Sequence, residues 1–171
     1  MRLQILLFAL AANTLPAAET NAVDVIALGR ISTDGSTGVS NDGWTVSGVN
    51  NYSESYKSAL RFNAKDDFVQ SPAFARPVTR ILLETVSSTN AHRRLAFTPL
   101  RGDVAQTNLT RLCAYSPTKN IFRAQTLSWP RSAGVRAFRI QLEGAGSTNW
   151  GIRTMTLVSD DPAPGTVVSL R

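Results

Sequence analysis

Two adjacent carboxylates, Asp66 and Asp67, stand between the patterns LRFNA and FVQSP. Carboxylate oxygens are ligands for Ca²⁺, which takes about six to eight oxygens at one site. Aspartate is also frequent in turns, because its side chain hydrogen-bonds to nearby backbone N–H groups. We interpret the pair as a tight hairpin turn. Calcium binding is the alternative, and it needs other loop acids such as Asp34 and Asp42 to lie close by.

Residues able to perform acid–base or nucleophilic catalysis are sparse. The single histidine, His92, lies beside Arg93 and Arg94, so a cluster of histidines around a metal ion is excluded. A Ser-His-acid triad would depend on this one residue. Neither a GxSxG elbow nor a phosphate-binding GxxxxGK[ST] loop is present. Glu84 and Glu143 lie on strand patterns near arginines, as is typical of surface ion pairs. The sequence therefore predicts a protein that is not an enzyme.

Aromatic side chains offer a better basis for binding. Sugar rings pack against flat aromatic surfaces, and Tyr and Trp add a polar group to such a surface. Tyr52 and Tyr56 lie in the polar stretch NNYSESYKS, and Trp44 lies in DGWTVSGV. We predict these three residues as ligand contacts. Burial in the core or in a turn is the alternative for each of them, because large aromatic side chains are mostly buried.

The basic residues suggest a second kind of ligand. The formal net charge is +6, and 15 of the 18 basic residues are arginines. Such a surplus can attract a polyanion, for which Arg93, Arg94, Arg136 and Arg139 are the candidates. Only Arg93 and Arg94 are adjacent, so solvated strand faces are the simpler interpretation of these arginines. Nucleic acid is not the expected partner.

The N-terminal sequence predicts export. MRLQILLFALAANTLPAAETNA has a basic start, a short apolar run and then small residues, which is the layout of a secretory signal peptide. The run is shorter than the roughly 20 residues of a membrane-spanning helix. We predict a signal peptide over residues 1–22, cleaved after Ala18 or Ala22, and a secreted or cell-surface protein without a transmembrane segment. A cytoplasmic chain with a buried N-terminal helix is the alternative.

The remaining chain has the size of one domain. Residues 23–159 are predicted to form it, and residues 160–171, which begin DDPAPG, are predicted to be a linker or C-terminal tail. Cys113 is the only cysteine, so an intrachain disulfide is excluded. Its apolar neighbours in LTRLCAYS favour a buried thiol over a reactive one.

Period-two alternation dominates the chain and predicts strands. Nine such segments follow one another: VDVIALGRIS, GWTVSGV, SALRFNA, VTRILLETV, RRLAFTPL, LTRLCAYS, IFRAQTLSW, VRAFRIQLEG and NWGIRTMTLVS. Their number and spacing indicate an all-β sandwich or barrel. The residues expected to face the core in two of them are Leu60, Phe62, Ala64, Phe138, Ile140 and Leu142.

The order of the motifs resembles a known class of domain. DGWTVSGV, SALRFNAKDDFVQSPAF, PVTRILLETVSST and FRIQLEGAGSTNWGIRTMTL resemble the extracellular jelly-roll domains of bacterial secreted proteins, which are similar to MAM-type and carbohydrate-binding-module sandwiches. The resemblance covers Ile31 to Ser159. It implies an antiparallel jelly-roll-like β-sandwich that acts as a non-catalytic accessory or adhesive module. Some of these domains bind calcium through acids in the last strand, where this chain has Arg153 and Thr154.

Three functions are compatible with these features. The first is a secreted or cell-surface module that binds a glycan or surface polymer and is joined to other domains or exported proteins. The alternatives are a structural spacer without a ligand and an arginine-mediated polyanion binder. No cofactor is expected, and calcium is the one metal ion for which the sequence offers candidate ligands.

Overall fold

The structure is a computed structural model that describes residues 18–31, 37–39, 42–50, 60–87, 93–115, 121–144 and 149–160. Strands are numbered along the chain. One sheet contains β1 (Glu19–Val23), β4 (Leu60–Phe62), β6 (Arg80–Ser87), β10 (Arg123–Ser128) and β12 (Trp150–Ser159). The other contains β2 (Thr37–Val39), β3 (Thr45–Ser47), β5 (Phe68–Gln70), β7 (Arg94–Arg101), β8 (Val104–Ala105), β9 (Arg111–Leu112) and β11 (Phe138–Glu143). Helix α1 spans Val25–Ile31, and two 3-10 turns span Thr107–Leu109 and Arg131–Ala133.

Both sheets are antiparallel. The five-stranded sheet has the order β1-β12-β6-β10, and β4 pairs with the first half of β12 on the same side as β1. The seven-stranded sheet has the order β2-β3-β5-β11-β7-β8, and β9 also pairs with β7. Apolar side chains from both sheets form one buried cluster. This arrangement confirms the predicted all-β antiparallel sandwich.

The period-two pattern predicted the core correctly where strands are regular. In β11, Phe138, Ile140 and Leu142 are buried, and so are Leu60 and Phe62 in β4. Ala64 is exposed, so its predicted core position was wrong. The reason is that β4 ends at Phe62 and the chain then turns, so the alternation does not continue.

The first predicted strand segment is partly helical. VDVIALGRIS was predicted as a strand, but Val25–Ile31 forms α1. Asp24 caps the helix, because its Oδ1 accepts hydrogen bonds of 3.0 Å from the N–H groups of both Ile26 and Ala27. Val25 and Leu28, three residues apart, are buried against the core, whereas Ile26 is exposed. Within the described ranges, no helix has the length and hydrophobicity to cross a membrane.

Strand β1 includes residues that the sequence assigns to the signal peptide. Its five residues pair in register with β12, from Glu19 opposite Ser159 to Val23 opposite Met155. Of the two predicted cleavage positions, the one after Ala18 leaves this strand whole. The boundary at residue 22 and the tail at 160–171 stay predictions.

Cys113 is buried, which confirms the interpretation of its apolar neighbours. Burial raises the pKa of its thiol to about 12. Since the thiolate is the nucleophile, we expect no measurable alkylation by iodoacetamide at pH 8 in the folded protein and complete alkylation in denaturant. Intact-mass spectrometry measures both. Labelling of the native protein at the rate of the denatured one would contradict the burial.

Candidate functional site

The described residues form three surfaces that we consider as ligand sites. The first, the edge cleft, lies between β1, α1 and the loop that follows β5, and its volume is about 450 Å³. The second, the threonine groove, lies on the outer face of the five-stranded sheet around Glu84, Thr126 and Thr154. The third, the polar face, lies on the outer face of the seven-stranded sheet around Gln70, Arg139 and Gln141. The predicted contact residues are distributed unevenly among them.

The edge cleft contains Trp44. The indole is 4% exposed and packs against Phe74 and Phe138, at ring-centroid distances of 6.0 and 5.7 Å. Only its margin contributes to the cleft wall, and Phe74 is the more exposed ring. Trp44 thus occupies the core position that was the alternative to a ligand contact. Its role toward a ligand stays a prediction.

The polar groups of the edge cleft are largely engaged within the protein. Glu19 forms an ion pair with Arg76, and Asp24 caps α1. Asp42 is exposed at the rim. The cleft is therefore an apolar space whose polar side chains mostly stabilise the elements that surround it.

Asp67 belongs to the turn between β4 and β5. Its carboxylate is buried, and its Oδ2 accepts hydrogen bonds from the N–H groups of Asn63 at 2.5 Å and Ala64 at 2.9 Å. A Cβ atom added at Gly48, whose φ is +68°, would overlap Oδ1 of Asp67. The carboxylate is thus enclosed by backbone on both sides, as expected for a residue that organises a turn. Asp66 is exposed in the same turn.

The predicted hairpin at this turn was wrong. Strand β4 pairs with β12 in the five-stranded sheet, whereas β5 pairs with β3 and β11 in the other sheet. The turn therefore carries the chain across the sandwich, because LRFNA and FVQSP both have apolar residues that must reach one core from opposite sides. In the described part of the chain, no group of three or more histidine, cysteine or acidic side chains could hold a metal ion.

The threonine groove has a volume of about 350 Å³ and is lined mainly by Leu82, Glu84, Ala124, Thr126, Thr154 and Thr156. Glu84 accepts hydrogen bonds from Arg153 at 2.7 and 2.9 Å and from Thr154 at 3.1 Å. The bonds from Arg153 lower the pKa of Glu84, and Glu84 raises the pKa of Arg153. Cζ of Arg153 lies 4.3 Å from the ring centroid of Phe122. The charged groups of the groove therefore neutralise each other.

The polar face is built from half-buried positions that alternate with core positions in β3, β5 and β11. Strand pairing aligns these positions in two rows. Thr45, Gln70 and Arg139 are opposite one another in the first row, and the second row contains Ser47, Phe68 and Gln141. We use the name polar face for these six residues. Adjacent positions within a row lie about 5 Å apart, and the rows are separated by about 7 Å.

Arg139 lies at the end of the first row of the polar face and is held in place. Its Nε and Nη2 donate hydrogen bonds of 3.1 and 2.6 Å to Oε1 of Gln70. Its Cζ lies 4.7 Å from the ring centroid of Phe68, within the range of a cation–π contact. The guanidinium group is therefore fixed in orientation by a neutral amide and an aromatic ring.

The other arginines proposed for polyanion binding are spread along the β7–β11 pair. Arg94 lies opposite Glu143, with its guanidinium 4.8 Å from the ring centroid of Tyr115. Arg136 precedes β11 and donates hydrogen bonds to the carbonyl groups of Phe74 and Ala75. The carbonyl of Arg93 accepts a hydrogen bond from Nε1 of Trp150. Among these four, only Arg139 belongs to the polar face.

Several predicted residues lie outside the described residues, namely Asp34, Tyr52, Tyr56 and His92. Sequence reasoning missed Gln70 and Gln141 as site residues. The alternation in FRIQLE indicated a wet face for Gln141, but only the pairing of β5 with β11 brings Gln70 close to it.

No family model and no curated protein matches this chain. Among solved structures, it is similar to a xylan-binding module of family CBM15, with a TM-score of 0.49 and 15% identity over 86% of this chain and 100% of that chain. It is also similar to a carbohydrate-binding module of family CBM36 in complex with calcium and xylotriose, with a TM-score of 0.43 and 15% identity over 82% and 99% of the two chains. Both belong to the carbohydrate-binding modules, one class of sandwich that the sequence resembles.

Proposed function

We propose that this protein is a non-catalytic module, secreted or at the cell surface, that binds a glycan or surface polymer through the polar face. The observation that carries the proposal is the alignment of Thr45, Gln70 and Arg139 beside Ser47, Phe68 and Gln141. Four of these six side chains are amides or hydroxyls, one is a guanidinium and one is an aromatic ring.

The chemistry of the polar face suits sugar hydroxyl groups. A glutamine amide offers two donors and an acceptor, and a hydroxyl offers both functions, so each can exchange hydrogen bonds with a sugar. The side chains project from strands of a sheet, which hold their relative positions more firmly than loops do. The two rows cross three neighbouring strands, so that one polymer can contact several of these side chains. These properties support binding to a chain rather than to an enclosed small molecule.

The proposal predicts that Gln141→Ala weakens binding of the best glycan about tenfold or more, because a hydrogen-bonding group is lost where the ligand lies. The ligand is first selected on a glycan array that includes neutral, xylan-derived and acidic oligosaccharides, and the affinity is then measured by titration calorimetry. Thr126→Ala, in the threonine groove of the other sheet, is the matched control and is expected to retain the affinity.

Two results would remove the proposal. Equal loss of affinity in Thr126→Ala and Gln141→Ala would show that the polar face is not the binding surface. Absence of binding to every glycan on the array would favour the alternative of a structural spacer without a ligand. Contacts through Tyr52 and Tyr56 stay predictions that the same titrations can test with alanine variants.

A further inference from the structure

We infer that the polymer bound at the polar face carries carboxylate groups, and that Arg139 binds one of them. The inference rests on the proposed function and names its ligand class. It would make Arg139 a specificity-determining residue, distinguishing uronic-acid glycans from neutral ones.

The first observation is that the charge of Arg139 is not neutralised by the protein. Arg76, Arg80 and Arg153 each form an ion pair with a carboxylate. Over the described residues, Arg139 forms none, and its hydrogen-bond partner is the neutral amide of Gln70. A half-buried cation without a counter-ion loses part of its hydration. Hydrogen bonds to a neutral amide and a contact with one aromatic ring compensate for this loss less fully than a carboxylate does.

The second observation is the orientation of the group. Gln70 accepts hydrogen bonds from Nε and from one N–H of Nη2 of Arg139, and the ring of Phe68 lies against the guanidinium group. These contacts leave the Nη1 side of a planar donor group for a ligand. A carboxylate matches such a group, because its two oxygens can accept parallel hydrogen bonds in one plane. Since the donor is already fixed, little side-chain entropy is lost when the carboxylate binds.

The third observation is that the strand partners of Arg139 carry no negative charge. The pairing partners of Arg139 are Gln70 and Thr98, both neutral. The acid of the same strand face, Glu143, is four residues further along β11, about 13 Å away at the usual rise of a strand. It also lies opposite Arg94. Neither strand partner of Arg139 therefore repels an anionic sugar.

The test compares matched ligands. Oligomers of galacturonate, mannuronate and glucuronate are titrated beside the same oligomers with every carboxyl group reduced to a primary alcohol. We expect the wild-type protein to bind at least one acidic oligomer about tenfold more tightly than its reduced form. Arg139→Gln should reduce this preference for the acidic oligomer to within about twofold. Arg153→Gln, which removes a cation from the other sheet face, should leave the preference intact.

Arg139→Lys provides a second variant that keeps the charge but loses the planar group, and it is expected to lose most of the preference. Circular dichroism checks that each variant is folded. Equal binding of acidic and reduced oligomers by the wild type would overturn the inference and leave the proposed function standing. Loss of the preference in Arg153→Gln as well would also overturn it, in favour of a general charge effect. Absence of binding to every oligomer and to every glycan on the array would overturn both the inference and the proposed function.

Discussion

Replacing Trp44 by alanine is expected to lower the free energy of unfolding by about 3–5 kcal/mol, the usual cost of truncating a buried tryptophan. The indole is 4% exposed and contacts two other rings, of which Phe138 is fully buried. Phe138 contacts Phe97 in turn. Removal of Trp44 therefore leaves a cavity in this aromatic cluster, next to the edge cleft. Urea denaturation followed by circular dichroism measures the change.

The control is Trp44→Phe, which keeps an apolar ring and is expected to recover much of the stability. Phe74→Ala, at a half-buried ring of the same cluster, should cost less than Trp44→Ala because less buried surface is lost. A Trp44→Ala variant with unchanged stability and reduced glycan affinity would support the opposite interpretation, that of an aromatic ligand contact.

Removal of the Asp67 carboxylate is the second change with a large expected effect. Asp67→Ala should lower the free energy of unfolding by about 2–4 kcal/mol, because two backbone N–H groups lose a buried, charged acceptor. Asp67→Asn keeps an oxygen that can accept both bonds and should be much less destabilising. Thermal and urea unfolding of the two variants gives the comparison.

The same pair of variants separates a turn from a calcium site. A turn predicts that chelator changes neither the stability nor the glycan affinity of the wild type, and that asparagine substitutes for aspartate. A calcium site predicts sensitivity to chelator and equal damage from Asp67→Asn and Asp67→Ala, since the ion needs the carboxylate charge. Gly48→Ala is expected to be destabilising under both interpretations, because its Cβ would overlap the Asp67 side chain.

The fold was predicted mainly from the alternation of polar and apolar residues along the strands. The pattern is reliable in β11, where polar and apolar residues alternate and every apolar position is buried. The two failures have different local causes. Ala64 follows a strand that stops at Phe62, and VDVIALGRIS satisfies a period of two as well as a helical spacing until Asp24 is recognised as a cap.

The candidate site was less predictable than the fold. Side-chain type identified Arg139, but its neighbours Gln70 and Phe68 are about 70 residues earlier in the chain and become partners only through pairing of β5 with β11. Likewise, two apolar patterns around the aspartates suggested a hairpin, and nothing local shows that β4 and β5 enter different sheets. Long-range pairing is the information that a single sequence does not provide.

The position of β1 has a mechanical consequence. Glu19 lies opposite Ser159 at one end of the β1–β12 ladder, so the two ends of the described domain emerge side by side. A force that pulls these ends apart would open the ladder one hydrogen bond after another, rather than shear all of its bonds together. The strand that yields first belongs to the five-stranded sheet, whereas the polar face is on the other sheet. Opening of this ladder would therefore leave the paired strands of the polar face in place.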